Sequence, residues 1–344
     1  MSPQEIAGAV LRSQHVRYEE LEARGCVASE ALEELDHEKL FQLLGMPKGE
    51  STDSVLEQMV NQKLVYRRNG RFSMTNLGAV ATARDLTRFP GKERFPVRVI
   101  KYRGPSRVEA ESEKEFSQGY GVGFQELIRH VMSQLPTSEI IRDALRHNVP
   151  IYPEITVREL VANALIHRDC LLTGMNPMVE IFSDRMEISN PGALLPTLKI
   201  ERLIDAAPES RNELLAAFMR RMGICEERGS GIDKALLAVE MYGLPPVEFI
   251  NGPNFFKAIL YSPRKFHQMS YEERLRACYQ HCCLKHVSQA PMTNATFRRR
   301  LGLKDAQYAL AWRVMDAAIQ AHLIKYRDPR SRSKKYAAYI PYWA

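Results

Sequence analysis

Three polar residues recur at four-residue intervals near the middle of the chain: Glu159, Asn163 and His167. If this segment is a helix, the spacing places a carboxylate, an amide and an imidazole on one face. A carboxylate can orient a water molecule, and an amide oxygen is a hard ligand that suits Mg²⁺. The face therefore suits a hydrated Mg²⁺ and a phosphate group, although a helix with ordinary, partly exposed polar residues has the same pattern.

The segments after this helix predict strands and glycine turns that would complete such a site. Residues 179–184 and 185–189 alternate with period two, which is typical of two strands joined by a tight turn, and they lead into the loop 190–192. A Gly-Ser-Gly turn at 229–231 precedes a helix predicted at 233–242. Glycines at a helix start let backbone N–H groups approach an anion closely.

Two final strands are predicted at 247–250 and 255–261. The whole order resembles the GHKL nucleotide-binding fold of gyrase and sensor histidine kinases. Residues 160–261 more closely resemble the ATP-binding domain found C-terminal to Schlafen-type AlbA domains, which is often labelled a RecG-like helicase C-terminus. The local matches are ELVANALIHRD (159–169), DRMEISNPG (184–192), SRNELLAAFMRRMG (210–223) and ERGSGI (227–232).

The resemblance implies ATP and Mg²⁺ as cofactors, with Glu159 as the general base that orients the attacking water and Asn163 as the Mg²⁺ ligand. It also assigns residues to the phosphates, the base pocket and a lid-like segment that senses the terminal phosphate. These nucleotide-binding positions are Asn163, His167, Arg168, Asn190, Gly192, Arg211, Asn212, Gly229, Ser230 and Gly231. Structural alternatives stay open: Asp169 can cap, Arg211 can form a surface salt bridge, and Gly231 can serve close packing.

The chain departs from the family pattern at two places. Gyrase-type enzymes carry Asp at the adenine-recognition position, where this chain has Asn190. Family members also carry a complete AlbA domain ahead of the ATPase region, whereas residues 1–26 look at most like its tail. Nuclease or nucleic-acid activity of that domain is therefore not transferred to this chain. A separate AlbA-like chain or a homodimer is a possible partner.

The predicted fold class is α/β: a two-layer sandwich of the GHKL (Bergerat) type at residues 93–265. A helical, winged-helix-like module at 1–90 precedes it, and a winged helix-turn-helix at 268–344 follows. In the first module we predict helices within 1–45, broken near Gly25 and Gly45, a helix at 53–65, a hairpin at 66–73 and a helix at 75–84. This module either touches nucleic acid or packs on the ATPase domain.

Between the first module and the helix of Glu159 we predict a strand at 95–102, a helix at 113–134 and a strand at 140–148. The segment GYGVGF at 119–124 does not match the dinucleotide fingerprint, and it is interpreted as a helix start or close-packing site. The chain has no GxxxxGK[ST] motif, which argues against a P-loop motor.

The C-terminal segment is the basic part of the chain. The net charge is +7, but residues 264–344 carry 16 Lys and Arg against 5 Asp and Glu, a surplus of +11 that leaves −4 on the rest. Helices at 271–287, 294–301 and 306–321 and a hairpin at 323–341 are the layout of a winged helix. The candidate duplex DNA contacts are Arg298, Arg299, Arg300, Arg313, Arg327, Arg330, Arg332, Lys334 and Lys335. A solvated basic surface or a protein contact is the alternative.

Soft ligands also cluster on the first of these helices, at Cys278, His281, Cys282, Cys283 and His286. They could hold zinc, but no second ligand pair accompanies them, so apolar cysteines of an amphipathic helix are the favoured interpretation. The six cysteines contain no CxxC pair. The chain start lacks a signal-peptide layout and no apolar run is long enough for a membrane span, so a cytoplasmic protein without membrane contact is expected.

The motifs and the charge distribution are compatible with two classes of function. The favoured one is an ATP-binding, weakly hydrolysing, DNA-associated factor of transcription regulation or antiviral defence. The alternative is a nucleotide sensor that does not hydrolyse ATP and whose basic tail is a protein adaptor. A phosphotransfer kinase is disfavoured because the sequence shows no phosphoacceptor His helix.

Overall fold

The computed structural model describes residues 17–68, 70–142, 145–225, 229–328 and 337–344. It is a mixed α/β structure. Up to residue 150 the elements are β1 (Glu22–Cys26), α1 (Ala28–Glu34), α2 (His37–Leu44), α3 (Thr52–Asn61), β2 (Val65–Arg68), β3 (Arg71–Thr75), α4 (Asn76–Thr82), β4 (Val97–Tyr102), β5 (Ala110–Phe116), α5 (Tyr120–Gln134), β6 (Thr137–Arg142) and β7 (Leu145–Pro150). The later elements are α6 (Glu154–Ile166), β8 (Met178–Ile181), β9 (Arg185–Pro191), α7 (Glu213–Arg221), α8 (Gly231–Met241), β10 (Glu248–Asn251), β11 (Phe255–Tyr261), α9 (Tyr271–Val287), α10 (Asn294–Arg300), α11 (Tyr308–Gln320), β12 (Ile324–Tyr326) and β13 (Tyr339–Pro341).

A six-stranded mixed sheet forms the centre, in the order β10-β11-β9-β8-β4-β5. The β4–β8 pair is parallel and the other neighbouring pairs are antiparallel. Because side chains alternate along a strand, Ile188 and Asn190 share a face with their partners Ala258 and Phe256. Helix α6 packs on β9 at this face and lies against α8. This face therefore carries the site described below.

The opposite face of the sheet carries buried carboxylates that pair with basic side chains from neighbouring strands and from the loop between β4 and β5. Glu180 accepts two bonds from Arg107, Nε at 2.6 Å and Nη2 at 2.7 Å. Glu187 accepts from Arg185 Nε at 2.7 Å and from Lys257 Nζ at 2.5 Å. Buried charges need such partners because an uncompensated buried charge is costly. The network fastens strands β8, β9 and β11 on the side away from α6.

The N-terminal segment differs from the prediction at residues 22–26. These residues form β1, not helix, because Cys26 pairs with Phe72 on β3 in a three-stranded sheet of order β1-β3-β2. The helix predicted at 53–65 is confirmed as far as Asn61, whereas Val65 already belongs to β2. Ser51 caps this helix by accepting a bond from the Ser54 N–H. The predicted hairpin is confirmed as β2 and β3; Asn69 in its turn lies outside the described residues. Residues 1–16 also lie outside them.

The helix predicted at 113–134 is wrong over its first part. Residues 110–116 form the edge strand β5, whose Glu113 bonds Arg98 of β4 through Nε at 2.8 Å. The helix begins only at Tyr120, after Gly119. A Cβ on Gly119 would lie 2.5 Å from the backbone nitrogen of Thr82, so the close-packing interpretation of the glycine segment is confirmed. The strand predicted at 140–148 is instead a pair, β6 and β7, and residues 143–144 lie outside the described ranges.

The C-terminal segment has three helices and a two-stranded sheet of β12 and β13, at the positions that the sequence predicts. Cys278, Cys282 and Phe297 lie in its own hydrophobic core. Cys283 and Leu284 of the same helix, α9, belong to the main core instead. Helix α9 therefore joins the C-terminal segment to the rest of the chain. No helix among the described residues has the length and apolar character to cross a membrane.

Candidate functional site

A cavity is enclosed by α6, by the face of the sheet that carries Ile188 and Asn190, and by the segment that leads from β9 to α7. Its lining includes Glu159, Asn163, His167, Ile188, Asn190, Gly192, Leu194, Leu195, Leu198, Leu203, Pro208, Glu209, Arg211, Arg220, Gly229, Gly231, Phe249, Phe256 and Ala258. Apolar side chains from the strands and the leucine-rich segment face polar groups from α6 and the glycine turn. Such a mixture is typical of a small-molecule or cofactor pocket.

Glu159 and Asn163 are one helical turn apart on α6, and both line the cavity. Glu159 is buried, with 8% of its surface exposed. The amide Nδ2 of Asn163 is buried and has no hydrogen-bond partner among the described residues. A buried polar atom without a partner costs about 1–3 kcal/mol, so it marks a position at which a ligand group would be favourable.

The Gly-Ser-Gly turn lies directly beside these two side chains. Gly231 is the first residue of α8, and a Cβ on it would collide with Oε2 of Glu159. Gly229 has a φ of +70°, a conformation that L side chains rarely adopt, and a Cβ there would lie 2.9 Å from Pro208 Cγ. Ser230 precedes α8 and lies outside the cavity lining. Residues 226–228, including the start of the predicted ERGSGI motif, lie outside the described residues.

Helix α6 ends at Ile166, so His167 is its C-terminal cap. The backbone carbonyl of His167 accepts bonds from Arg211 Nε at 3.1 Å and Asn190 Nδ2 at 3.4 Å. Burial, with a further contribution from the nearby Arg211 charge, lowers the pKa of the His167 imidazole to about 4. The ring that lines the cavity is therefore neutral near pH 7 and offers a hydrogen bond, not a positive charge.

Arg211 links the end of α6 to the loop after β9. Besides His167, its guanidinium bonds the Asp169 carboxylate through Nη1 at 3.3 Å and the Ala193 carbonyl through Nη2 at 2.7 Å. The salt bridge considered as an alternative for Arg211 is present. Asp169 also accepts the Leu171 N–H at 3.0 Å, which is a turn contact, because no helix begins at this position. Arg211 lines the cavity, and each of its three guanidinium nitrogens already donates a hydrogen bond within the chain.

Asn190 and Gly192 border the cavity, as the resemblance implies. Asn190 is 3% exposed, and its Nδ2 also donates to the Pro191 carbonyl at 3.2 Å. Gly192 has a φ of +109°, and a Cβ there would lie 2.8 Å from the Cβ of Asp169. This glycine is needed for the close approach of the loop to the end of α6.

Besides Ser230, two predicted site residues, Arg168 and Asn212, lie away from the cavity lining. Arg168 is fully buried, stacks 3.7 Å from the centroid of Phe95 and donates to three backbone carbonyls through Nη2. Asn212 donates to the carbonyls of Ile166 and Arg168, each at 2.8 Å. Asn212 satisfies the Ile166 carbonyl at the end of α6, where helix carbonyls lack intrahelical donors. Arg168 instead ties the loop after α6 to the Arg94 carbonyl. The phosphate contacts predicted for them are corrected to positioning contacts.

Sequence reasoning missed the apolar wall and two charged members of the lining. Leu194, Leu195, Leu198 and Leu203 face the cavity from the segment between β9 and α7, and Glu209 and Arg220 also line it. The leucine spacing in ALLPTLKIERL, between two matched motifs, was the available signal. It could not by itself tell a cavity wall from an ordinary core segment.

The arginines predicted to bind DNA fall into two groups. Arg299, Arg313 and Arg327 are exposed. The DNA contact predicted for Arg300 is corrected, because its side chain is only 5% exposed. This side chain donates to the Leu244 carbonyl at 2.7 Å and lies 3.5 Å from Glu240.

Arg298 is engaged as well, since Nε donates to Asn294 at 2.9 Å and Nη1 pairs with Asp305 at 2.5 Å. Four other candidates lie outside the described residues: Arg330, Arg332, Lys334 and Lys335.

The cysteines and histidines of α9, for which zinc was the disfavoured alternative, are divided between different surroundings. The sulfur atoms of Cys278 and Cys282 lie in the C-terminal core, whereas Cys283 belongs to the main core. His281 Nδ1 lies 2.8 Å from a Glu240 carboxylate oxygen, and its Nε2 lies 3.1 Å from Thr296 Oγ1. His281 therefore joins α8 to α10.

Residues 174–260 match the family model described as "Putative ATP-dependent DNA helicase recG C-terminal". The match covers β8, β9, β10, β11 as far as Leu260 and both glycine segments; it begins after the helix of Glu159 and leaves out β4 and β5. Among solved structures, the DIP2311 protein from Corynebacterium diphtheriae is similar, with a TM-score of 0.56 and 17% identity over 98% of this chain and 67% of that chain. That likeness shows the fold alone.

The comparison with curated proteins finds no match. The family match nevertheless agrees with the motifs from which the resemblance was drawn. Over residues 174–260 the chain therefore matches the RecG C-terminal, GHKL-like ATPase family that the sequence predicts.

Proposed function

We propose that the chain binds ATP with Mg²⁺ in the cavity beside α6 and uses the bound nucleotide to regulate contacts of its C-terminal segment with duplex DNA. The six-stranded sheet and α6 would then form the GHKL-type sandwich, and α9 to α11 with β12 and β13 a winged helix. The observation that carries the proposal is the buried Nδ2 of Asn163 in the cavity beside Gly231, a donor without a partner among the described residues that suits an acceptor such as a phosphate oxygen.

The residues present fit a magnesium nucleotide. The amide of Asn163 offers a hard oxygen to the metal, and the glycine turn leaves no side chain between its backbone and the cavity. When bound, Mg²⁺ would neutralise charge on the phosphate oxygens and polarise them. The neutral His167 ring offers one hydrogen bond beside them. The apolar wall of Leu198, Leu203 and Phe256 suits the flat face of a base.

Glu159 would act on the attacking water. Its carboxylate lies at the start of α8, where the partial positive charge of a helix N-terminus stabilises an anion. That position fixes the carboxylate next to the phosphate side of the cavity. A fixed carboxylate can orient a water and accept its proton, which is the requirement for a slow ATPase.

The second part of the proposal is a role in transcription regulation or antiviral defence through DNA. Arg299, Arg313 and Arg327 are exposed on one segment of high positive charge, which supports contact with phosphates. The pairing of Arg298 and Arg300 within the chain favours the alternative, a sensor that does not hydrolyse ATP and whose C-terminal segment contacts a protein.

Calorimetric titration of the full chain with ATP, ADP and GTP, with Mg²⁺ and with EDTA, tests the first part. Mg²⁺-dependent binding of ATP is expected. A protein that binds none of the three nucleotides in the presence of Mg²⁺ would refute it. Repeating the ATP titration with random-sequence duplex DNA present tests the second part, since coupled sites must alter each other's affinity reciprocally. Phosphate release then separates an ATPase from a sensor.

A further inference from the structure

The C-terminal end of the chain contacts the segment that covers the cavity. We call residues 194–210 the flap. The hydroxyl of Tyr279 on α9 donates to the backbone carbonyl of Glu201 in the flap. Trp343 Nε1 in turn donates to that hydroxyl oxygen at 2.9 Å. The guanidinium of Arg202 stacks 4.4 Å from the centroid of the Trp343 ring. Two flap residues are therefore held by two side chains of the C-terminal segment.

These contacts fall between residues that line the cavity. The 3₁₀ turn Ile200–Arg202 lies between Leu198 and Leu203, which both line the cavity. On the far side of this turn, Ile204 is buried in the main core. Near its start, the flap is tied by the Leu194 N–H, which donates to Asn251 Oδ1 at 2.7 Å. Between these points, Glu201 and Arg202 are exposed, so Tyr279 and Trp343 fix the position of the turn.

We propose that Tyr279 and Trp343 are positioning residues that hold the flap over the nucleotide and thereby set the rate at which nucleotide leaves. The inference rests on the proposed function of the cavity. Nucleotide cannot leave past Leu198 and Leu203 without movement of the flap, and that movement must break the Tyr279 bond and the Arg202–Trp343 stack.

The test is the dissociation rate of a fluorescent ATP analogue from the full chain, measured by stopped flow in Mg²⁺. Tyr279→Phe removes the hydroxyl and keeps the ring. Trp343→Leu removes both the hydrogen bond and the stack. One neutral hydrogen bond and one exposed cation–π contact are each worth a factor of about three to ten in an equilibrium, so dissociation should accelerate by about that factor in Tyr279→Phe and more in Trp343→Leu.

Tyr342→Leu is the matched control. Tyr342 is the neighbour of Trp343 in sequence, but its ring lies 5.1 Å from His322, within the C-terminal segment. It should leave the dissociation rate at the wild-type value. A merely structural role of the three aromatic residues would lower the melting temperature in all three variants and leave the dissociation rate of the folded fraction unchanged, which would overturn the proposal. If Trp343→Leu does not fold, Tyr279→Phe carries the test alone.

A spectroscopic measurement provides a second readout. The chain has two tryptophans, so Trp312→Phe leaves Trp343 as the single tryptophan reporter. Saturating ATP and Mg²⁺ should keep the flap and Arg202 against Trp343, so acrylamide should quench its emission less than in the nucleotide-free protein. Equal quenching in a protein that calorimetry shows to be saturated would overturn the inference. Wild-type protein that binds no nucleotide removes the proposed function and this inference together. Binding with wild-type dissociation rates in Tyr279→Phe and Trp343→Leu removes this inference alone.

Discussion

The carboxylate of Glu159 occupies the space that a side chain at Gly231 would need. The two residues are brought together because α6 and α8 lie against each other, and Thr156 Oγ1 donates to the Ala235 carbonyl across that contact at 2.9 Å. Gly231 therefore serves two purposes: it allows α6 and α8 to pack closely, and it leaves space for a phosphate beside Glu159. The same missing Cβ serves both.

Gly231→Ala should displace the Glu159 carboxylate and narrow the cavity. Overpacking a buried contact costs about 1–3 kcal/mol, and both nucleotide affinity and hydrolysis should fall. Thermal unfolding and calorimetric titration measure the two effects. Gly104→Ala is the control, because a Cβ at Gly104 meets no atom within 4 Å. In a Glu159→Ala background, Gly231→Ala should cost much less; an equal cost in both backgrounds would show that the collision is not the cause.

Asn163→Ala should separate stability from binding. Removing a buried amide whose Nδ2 has no partner among the described residues should leave the melting temperature of the nucleotide-free protein unchanged or raise it. Binding of ATP in Mg²⁺ should weaken at least about tenfold, the effect of losing a metal ligand, while the weak binding in EDTA should not change. Calorimetric titration of Asn163→Ala and of the wild type with ATP, in Mg²⁺ and in EDTA, measures these affinities. Equal losses with Mg²⁺ and with EDTA would count against a metal role.

Glu159→Gln should impair hydrolysis and not nucleotide binding, in contrast to Asn163→Ala. The amide keeps the shape of the side chain but cannot accept a proton from water, so hydrolysis should fall by about 10²–10⁴-fold while Mg-ATP binding is retained. The change also removes a negative charge from the start of α8, which should cost about 0.3–1 kcal/mol of stability. Phosphate release under single-turnover conditions is the measurement. Hydrolysis at the wild-type rate would remove Glu159 as the base.

The pH dependence of stability should report His167. Its folded-state pKa of about 4 lies below the ordinary value of 6.5, so between these pH values the unfolded chain binds more protons and stability rises with pH. Asp233 opposes this trend, because burial, with the nearby Asp205 charge, raises its pKa to about 6 from 3.8. Urea unfolding of His167→Gln should therefore show a flatter or inverted profile between pH 4 and 6.5. A profile parallel to wild type would contradict the assignment.

Local patterns predicted α6 and its polar face, since the residues at 159 and 163 do meet in the cavity. They did not predict that the helix stops at Ile166, so that the His167 carbonyl, and not only its ring, organises the site. The donors to that carbonyl are Arg211 and Asn190. They are far from it in sequence, and only the folded chain brings them together.

The misassigned strand β5 has a similar cause. Its sequence AESEKEF is rich in residues with good helix propensity, and local propensity favoured a helix. Pairing with β4 and the Arg98–Glu113 contact outweigh that preference, because strand stability depends on cross-strand partners. The sequence likewise reveals the positive charge of residues 298–300. It does not reveal that Arg300 is buried against Glu240 and the Leu244 carbonyl.

These pairings change what is expected of DNA binding. If the exposed arginines Arg299, Arg313 and Arg327 each meet one phosphate, each should contribute about −0.9 to the slope of log affinity against log salt. Replacing any one of them by Ala should weaken binding to all sequences about equally and reduce the slope by about one, because phosphate contacts position a protein without reading sequence.

Arg300→Ala should behave differently. Its guanidinium is buried against Glu240 and the Leu244 carbonyl, so its loss leaves a carboxylate and a carbonyl without that donor and should lower the melting temperature. The salt slope should stay at the wild-type value. Fluorescence anisotropy of the full chain on random-sequence duplex at several salt concentrations compares the four variants. A reduced slope for Arg300→Ala would mean that this arginine leaves Glu240 to meet phosphate. Absence of binding at low salt would remove DNA and favour the protein adaptor.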